Sequence, residues 1–104
     1  MKAQILSSVV AMLAAVPAFA TTYETTCSPT VCGANFPAPG PTWTTAAVNY
    51  ASTVPAVVGD TIALCQNRPN GSSHGDAWTV NHAPVTSASD LTFSGTFGDP
   101  SFPC

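Results

Sequence analysis

The stretch "TWTTAAVNYASTVP", Thr42 to Pro55, decides between two folds for this chain. Its apolar residues recur at the i, i+3, i+4, i+7 and i+11 spacing of a helix face; they are Trp43, Ala46, Ala47, Tyr50 and Val54. Thr42 is a suitable N-cap behind Pro41, and Pro55 ends the run. The threonines favour a strand instead, because β-branching lowers helix propensity. We predict a short amphipathic helix over Trp43–Thr53, with a strand as the alternative.

Strand patterns follow this segment. In "PAVVGDTIALC", two apolar runs are separated by Gly59-Asp60, which predicts a hairpin turn. Asn70-Gly71 predicts a second turn. The segment "DLTFSGTF", Asp90 to Phe97, alternates, with Leu91, Phe93 and Phe97 on one face. We therefore predict an α+β fold, with one helix on a three- or four-stranded antiparallel sheet. An all-β sandwich is the alternative.

The first twenty residues have the pattern of a secretory signal peptide. Met1-Lys2 gives a positive start, Ile5 to Val16 is an apolar run, and "AFA", Ala18 to Ala20, is a small-x-small cleavage pattern. The apolar run is shorter than a bilayer span. We predict cleavage after Ala20 and a secreted protein made of one small domain, residues 21–104.

A domain of this size buries a modest core and usually needs covalent staples. Four cysteines follow the predicted leader: Cys27, Cys32, Cys65 and Cys104. In an oxidising compartment an even count predicts two disulfides, and the absence of a C-x-x-C pair disfavours zinc. Loop entropy does not decide the pairing, since each bridge is worth about 2–4 kcal/mol. In the same secreted context, Asn70-Gly71-Ser72 predicts a glycoprotein with a glycan on Asn70.

The chain is poor in charge, with two basic and five acidic residues. Loss of Lys2 with the leader changes the formal net charge from −3 to −4, because Arg68 then stands alone against five carboxylates. They belong to Glu24, Asp60, Asp76, Asp90 and Asp99. Binding to nucleic acids and to anionic membranes depends on lysine and arginine. We expect neither partner, and we expect a monomer.

Both histidines lie in "SSHGDAWTVNHAP", Ser72 to Pro84. In a strand from Ser73 to Ala83, alternate residues share one face; they are His74, Asp76, Trp78, Val80 and His82. The two histidines are then about 26 Å apart, too far to share a metal ion. We predict that His74, Asp76 and His82 bind no metal, that the chain holds no cofactor, and that Trp78 is core. No catalytic residue is predicted, since the carboxylates of the chain lie in no recognisable motif.

The stretch "CSPTVCGANF", Cys27 to Phe36, resembles the N-terminal region of the small fungal guanyl-type ribonucleases. In that family two early cysteines precede a short helix and an antiparallel sheet, and a final cysteine closes the domain. Here the predicted helix, "DTIALC" and the terminal "FPC" fall in the same order. The resemblance implies the disulfides Cys27–Cys65 and Cys32–Cys104.

The catalytic strings of that family are missing from this sequence: Tyr-Pro-His, Glu-Phe-Pro, Asp-Arg-Val and Thr-His-Thr-Gly. The family's activity therefore does not carry over, and the resemblance implies a non-catalytic relative, like a small secreted fungal effector. We predict a secreted, non-enzymatic interaction protein that binds a host protein or a cell-wall component. A small secreted hydrolase of ribonuclease type is the alternative. The expected contact loops are Phe36–Pro41 and Gln66–Ser73, because connecting segments carry most recognition.

Overall fold

The computed structural model describes residues 19–35, 38–67 and 73–98. In chain order their elements are β1 (Thr22–Cys27), α1 (Pro29–Cys32), α2 (Pro41–Ala51), β2 (Thr61–Asn67), β3 (Ser73–Val80), a 3₁₀ helix (Ala88–Asp90) and β4 (Leu91–Gly98). The strands form one sheet in the order β1-β2-β3-β4. This confirms an α+β fold with a helix and a small sheet.

The predicted helix exists, and it begins and ends two residues earlier than expected. Gly40 is the N-cap instead of Thr42, and Pro41 lies in the first turn, where the missing N–H would have no partner in the helix. The buried residues of α2 are Trp43, Ala47 and Ala51, which lie on the apolar face that the periodicity predicts. The threonines are accommodated locally, since Thr45 donates its hydroxyl to the carbonyl of Pro41 at 2.9 Å.

The sheet is mixed, so the prediction of a wholly antiparallel sheet is wrong for β1. This strand runs parallel to β2, from Thr22 opposite Thr61 to Cys27 opposite Gln66. A parallel pair needs a long crossover, and here the chain passes through α1 and α2 between the two strands. The other pairs, β2–β3 and β3–β4, are antiparallel.

The predicted hairpin turn at Gly59-Asp60 is wrong, because the apolar run before it is not a strand. The backbone N–H of Val57 donates to the side chain of Asp60, and Pro55 has no N–H to donate. Gly59 instead donates to the carbonyl of Val80 at 2.9 Å, and Val80 donates to the carbonyl of Asp60 at 2.9 Å. The segment before β2 therefore closes onto the end of β3.

A β-bulge interrupts the alternation predicted for the last strand. The register shifts between Ala77 and Trp78, which pair with Gly95 and Phe93. Leu91 and Phe93 are opposite Val80 and Trp78, as one continuous face requires. Beyond the bulge, Thr96 is opposite Asp76 and Phe97 is opposite Gly75, so the alternation predicted through Phe97 is wrong. β3 also ends at Val80, three residues before the predicted Ala83.

The main core lies between α2 and one face of the sheet. Its buried members include Ile62 and Leu64 of β2, Val80 of β3, and two tryptophans. The rings of Trp43 and Trp78 have centroids 6.2 Å apart, and Phe93 meets Trp78 edge-on at 5.9 Å. Both tryptophans are therefore core residues, as predicted for Trp78. Aromatic pairs of this kind add to the free energy gained by burial.

The disulfide pairing implied by the ribonuclease resemblance is wrong. Cys27 is bonded to Cys32, and their Cα atoms are 6.0 Å apart. In the β1–β2 register Cys65 is opposite Thr26, so its side chain and that of Cys27 lie on opposite faces of the sheet. The turn through α1 instead returns Cys32 to the end of β1. Cys65 is also in a disulfide; Cys104, like the predicted leader residues 1–18 and Asn70, lies outside the described residues.

Candidate functional site

Polar side chains are buried at the end of the sheet that carries the Cys27–Cys32 disulfide. We define the buried polar cluster as Asn35, Gln66, His74 and Asp76 together with the indole of Trp43. Asp76 is completely buried, Asn35 and Gln66 are nearly so, and His74 is half-buried. Buried polar groups are costly unless they are hydrogen-bonded, so the contacts of this cluster determine what it can do.

Asp76 joins the helix to the sheet within this cluster. Strand alternation turns it toward α2, on the same face as Trp78. Its Oδ2 accepts a hydrogen bond from the indole Nε1 of Trp43. Neither residue is exposed to solvent. Because its donor and its acceptor are both buried, this hydrogen bond fixes α2 against β3.

Gln66 and Asn35 connect the sheet to the segment after α1. Gln66 donates its amide Nε2–H to the carbonyl of Gly33 at 2.7 Å, and Nε2 also lies 3.6 Å from Sγ of Cys32. Asn35 donates Nδ2–H to the carbonyl of His74 at 3.4 Å. Since Gln66 and His74 are opposite each other in the β2–β3 register, these bonds tie three chain segments together. The cluster is a structural crosslink around the disulfide.

The structure brings only two of the three predicted candidate residues together. His74 and Asp76 are two apart on the helix-facing side of β3, as predicted. His82 lies beyond the opposite end of the strand, where its Nδ1 is 3.4 Å from Oδ1 of Asp90 and its side chain is 71% exposed. Among the described residues, no three potential metal-ligating side chains form a group that could hold an ion. The absence of metal binding stays a prediction.

Asp90 closes the segment between β3 and β4. Its Oδ2 accepts hydrogen bonds from the backbone N–H of Thr86 at 2.9 Å and of Ser87 at 3.2 Å. Ser87 and Asp90 also form a reciprocal capping box around the 3₁₀ helix. The hydrogen bond from Thr86 lowers the pKa of Asp90 most; burial opposes it, and Ser87 and His82 lower the pKa further. This carboxylate is a structural acceptor.

Asp60 has the same role at the start of β2. Its Oδ1 accepts from the backbone N–H of Thr21, and its Oδ2 from that of Val57, both at 2.9 Å. The bond from Thr21 is the larger cause of a lowered pKa, the bond from Val57 is the second, and burial opposes them. Asp60 therefore connects the residue before β1 to the turn before β2.

That turn presents two consecutive apolar side chains to solvent. Val57 is 57% exposed and Val58 is 63% exposed. We call these two residues the apolar tip. Its backbone is held at both ends, because Asp60 donates its N–H to the carbonyl of Val57 at 3.0 Å and Gly59 bonds to Val80. Gly59 has a φ of 97°, which only glycine adopts readily.

Sequence reasoning missed the structural aspartates and the buried amides. Ser87-Ala-Ser-Asp90 is a capping-box pattern before an apolar run, so that site had a readable signal. Asn35 and Gln66 had none, since their burial depends on how distant segments meet. The predicted contact loops, Phe36–Pro41 and Gln66–Ser73, fall partly on residues 36–37 and 68–72, outside the described ranges.

Comparisons with known proteins found no family model, no curated protein and no solved structure that matches this chain. Among the described residues, no helix is both long enough and apolar enough to cross a membrane.

Proposed function

We propose that this chain is a secreted, non-enzymatic interaction protein, similar in kind to a small fungal effector, that binds a host protein or a cell-wall component. The observation that carries the proposal is the apolar tip, Val57 and Val58. Two adjacent exposed valines are costly in water and become favourable when a partner covers them. A protein partner is favoured, because apolar side chains form the buried centre of protein interfaces.

The rigidity of the tip supports this proposal. The carboxylate of Asp60 holds the N–H of Val57, and the Asp60 N–H bonds back to the carbonyl of Val57. A segment that is already fixed in one conformation loses less entropy on binding than a flexible loop. The tip therefore presents its side chains at low cost.

The use of the described aspartates also supports a binding role over catalysis. Acid–base catalysis needs a titratable group within reach of substrate. Asp60 and Asp90 hold backbone N–H groups, and Asp76 is completely buried against Trp43. The second histidine, His82, is paired with Asp90.

The experiment uses the immobilised secreted protein to capture partners from host tissue and cell-wall extracts. Each captured component is then purified, and its affinity is measured in a two-component assay. Val57→Ser with Val58→Ser should weaken that affinity tenfold or more. The matched control is Val31→Ser, because Val31 is 75% exposed and lies after the far end of β1. This control should leave the affinity unchanged.

Two results would contradict the proposal. An equal change of affinity in the tip variant and in the Val31→Ser control would contradict a specific role of the apolar tip in binding. Cleavage of RNA by the secreted protein, abolished in the His74→Ala, His82→Ala variant, would establish the ribonuclease alternative.

A further inference from the structure

The residue before β1 is held by two hydrogen bonds at the end of the sheet. The amide nitrogen of Thr21 lies 2.9 Å from Oδ1 of Asp60, and the carbonyl of Thr21 accepts from the N–H of Thr61 at 2.9 Å. Asp60 is only 3% exposed. The nitrogen of Thr21 is therefore fixed beside a buried carboxylate.

This nitrogen belongs to the peptide bond at which the leader is predicted to be cut. On the leader side, Phe19 is 94% exposed and Ala20 is also exposed. Removal of these two residues therefore sacrifices no buried side chain. The cut would convert the Thr21 amide into an α-amino group without moving it away from Asp60.

We propose that the α-ammonium group of Thr21, released by cleavage after Ala20, forms an ion pair with the carboxylate of Asp60. The inference rests on the leader removal that belongs to the proposed function. A signal peptidase hydrolyses the Ala20–Thr21 bond, so that water supplies OH to the Ala20 carbonyl carbon and H to the Thr21 nitrogen. The new amine then takes a further proton from solvent.

The ion pair adds a charge–charge attraction to the hydrogen bond that it replaces. The bond from the Thr21 N–H is already charge-assisted because its acceptor is a carboxylate, and the ammonium places a full positive charge on the donor as well. A buried carboxylate also gains more from an opposite charge than an exposed one, because solvent screens it less. Since the same carboxylate holds the N–H of Val57, the processed N-terminus would stabilise both β1 and the apolar tip.

Other titratable groups do not cause the lowered pKa of Asp60. The elements around it carry Tyr23 and Glu24 on β1, Tyr50 on α2, His74 and Asp76 on β3, and His82 and Asp90 after β3. None of these groups is among the causes of the lowered pKa of Asp60, which are the bonds from Thr21 and Val57, opposed by burial. The arriving ammonium would be the charge that directly contacts it.

The ion pair predicts a defined pH window of extra stability. An α-amino group titrates near about pH 8, and the carboxylate raises its pKa in the folded state. The stabilisation is therefore complete below about pH 8 and is lost as the pH rises through the raised value. On the acid side, Asp60 has a lowered pKa, so its contribution is present above 3.8 and lost as the pH falls through the lowered value.

The sequence makes this amine unusually easy to observe. Lys2 is the only lysine, and it leaves with the leader. The processed chain then has one primary amine, the α-amino group of Thr21. An acetylating reagent specific for amines will modify that position alone, and its rate as a function of pH reports the pKa of the amine.

The test uses the secreted protein, with its first residue established by mass and N-terminal sequencing. Near pH 7 the amine should react about tenfold more slowly in the folded protein than in urea, which corresponds to a pKa raised by one unit. Acetylation should raise the unfolding equilibrium constant about tenfold at pH 7 and remove the alkaline loss of stability. In the Asp60→Asn variant, the amine should react as fast as in urea.

Each outcome decides something. A first residue other than Thr21 overturns both the predicted cleavage and the ion pair. A Thr21 amine that reacts equally fast folded and unfolded, and whose acetylation leaves the unfolding equilibrium unchanged, overturns the ion pair alone. If Asp60→Asn does not fold, the comparison of acetylated with unmodified protein still decides the question.

Discussion

Trp43 of α2 donates its indole N–H to the carboxylate of Asp76 on β3, thirty-three residues along the chain. Neither residue is exposed to solvent. Trp43 also makes an apolar contact with Trp78, which lies two residues after Asp76 on β3. The hydrogen bond is the polar counterpart of that contact. It therefore specifies how the helix sits on the sheet, which burial of apolar surface alone would leave less defined.

Trp43→Phe retains an aromatic ring but removes the donor to a buried acceptor. It should therefore destabilise the fold by about 1–3 kcal/mol. Urea unfolding followed by circular dichroism would measure the loss. Tyr50→Phe is the matched control, since it removes an aromatic hydroxyl that donates to the carbonyl of Glu24 at an exposed site. The control should change the free energy of unfolding by less than about 0.5 kcal/mol. Equal effects of the two variants would contradict a special role for the Trp43–Asp76 bond.

Asp90 should contribute to acid sensitivity. Its pKa is lowered, chiefly by the hydrogen bond from the N–H of Thr86, so its stabilisation is present above the ordinary value of 3.8 and lost as the pH falls through the lowered value. Asp90→Asn should lower stability at pH 6 and flatten the dependence on pH below 4. Thermal unfolding between pH 2 and pH 6 would measure both effects. Glu24→Gln, which removes an exposed carboxylate, is the charge control; equal flattening in that variant would refute the assignment to Asp90.

The disulfides can be mapped by digesting the protein before any reduction and then reducing the fragments. A proteolytic fragment spanning Cys27 to Cys32 should gain the mass of two hydrogens on reduction, without splitting into two peptides. Cys65 is also bonded, and Cys104 is the cysteine that remains, so we expect those two in one linked pair. A fragment joining Cys27 to Cys65 would contradict the structure. Replacing Cys27 and Cys32 with alanine should cost about 2 kcal/mol, because the bridge closes a short loop.

Metal titration tests the prediction that His74, Asp76 and His82 bind no metal ion. Calorimetric titration of the secreted protein with zinc and with copper should give no binding at micromolar concentrations, because His74 and His82 lie at opposite ends of β3. A metal also needs more ligands than His74 and Asp76 supply together. Micromolar affinity that disappears in His74→Ala would refute this prediction.

Local hydrophobic periodicity predicted the elements in which packing on the core follows the repeat of the sequence. The helix face from Trp43 to Ala51 follows a 3.6-residue repeat because it packs on a continuous core, and Trp78 and Val80 alternate for the same reason. The boundaries shifted where backbone groups found other partners. Gly40 replaced Thr42 as the N-cap, and the carboxylate of Asp60 took the N–H that a strand before β2 would have used.

The remaining features depend on contacts between distant segments. A threonine-rich segment such as β1 has little apolar alternation, so its pairing with β2 has no clear local signal. The bulge beside Trp78 arises from the way β3 and β4 pair, and the sequence of neither strand alone indicates it. The same holds for the buried polar cluster, since Gln66 and Asn35 become buried only when α1, β2 and β3 meet.

The mixed sheet also leaves two outer strands, β1 and β4, in the described part of the chain. An outer strand has unpaired backbone groups, on which a second molecule could add a strand and begin aggregation. Glu24 lies in the middle of β1, where pairing with another copy in alignment would place two carboxylates side by side. β4 has no charged residue, but it contains the extra residue of the bulge, Ser94, which disrupts a regular edge. The two edges therefore resist self-association by different means, charge on one and shape on the other.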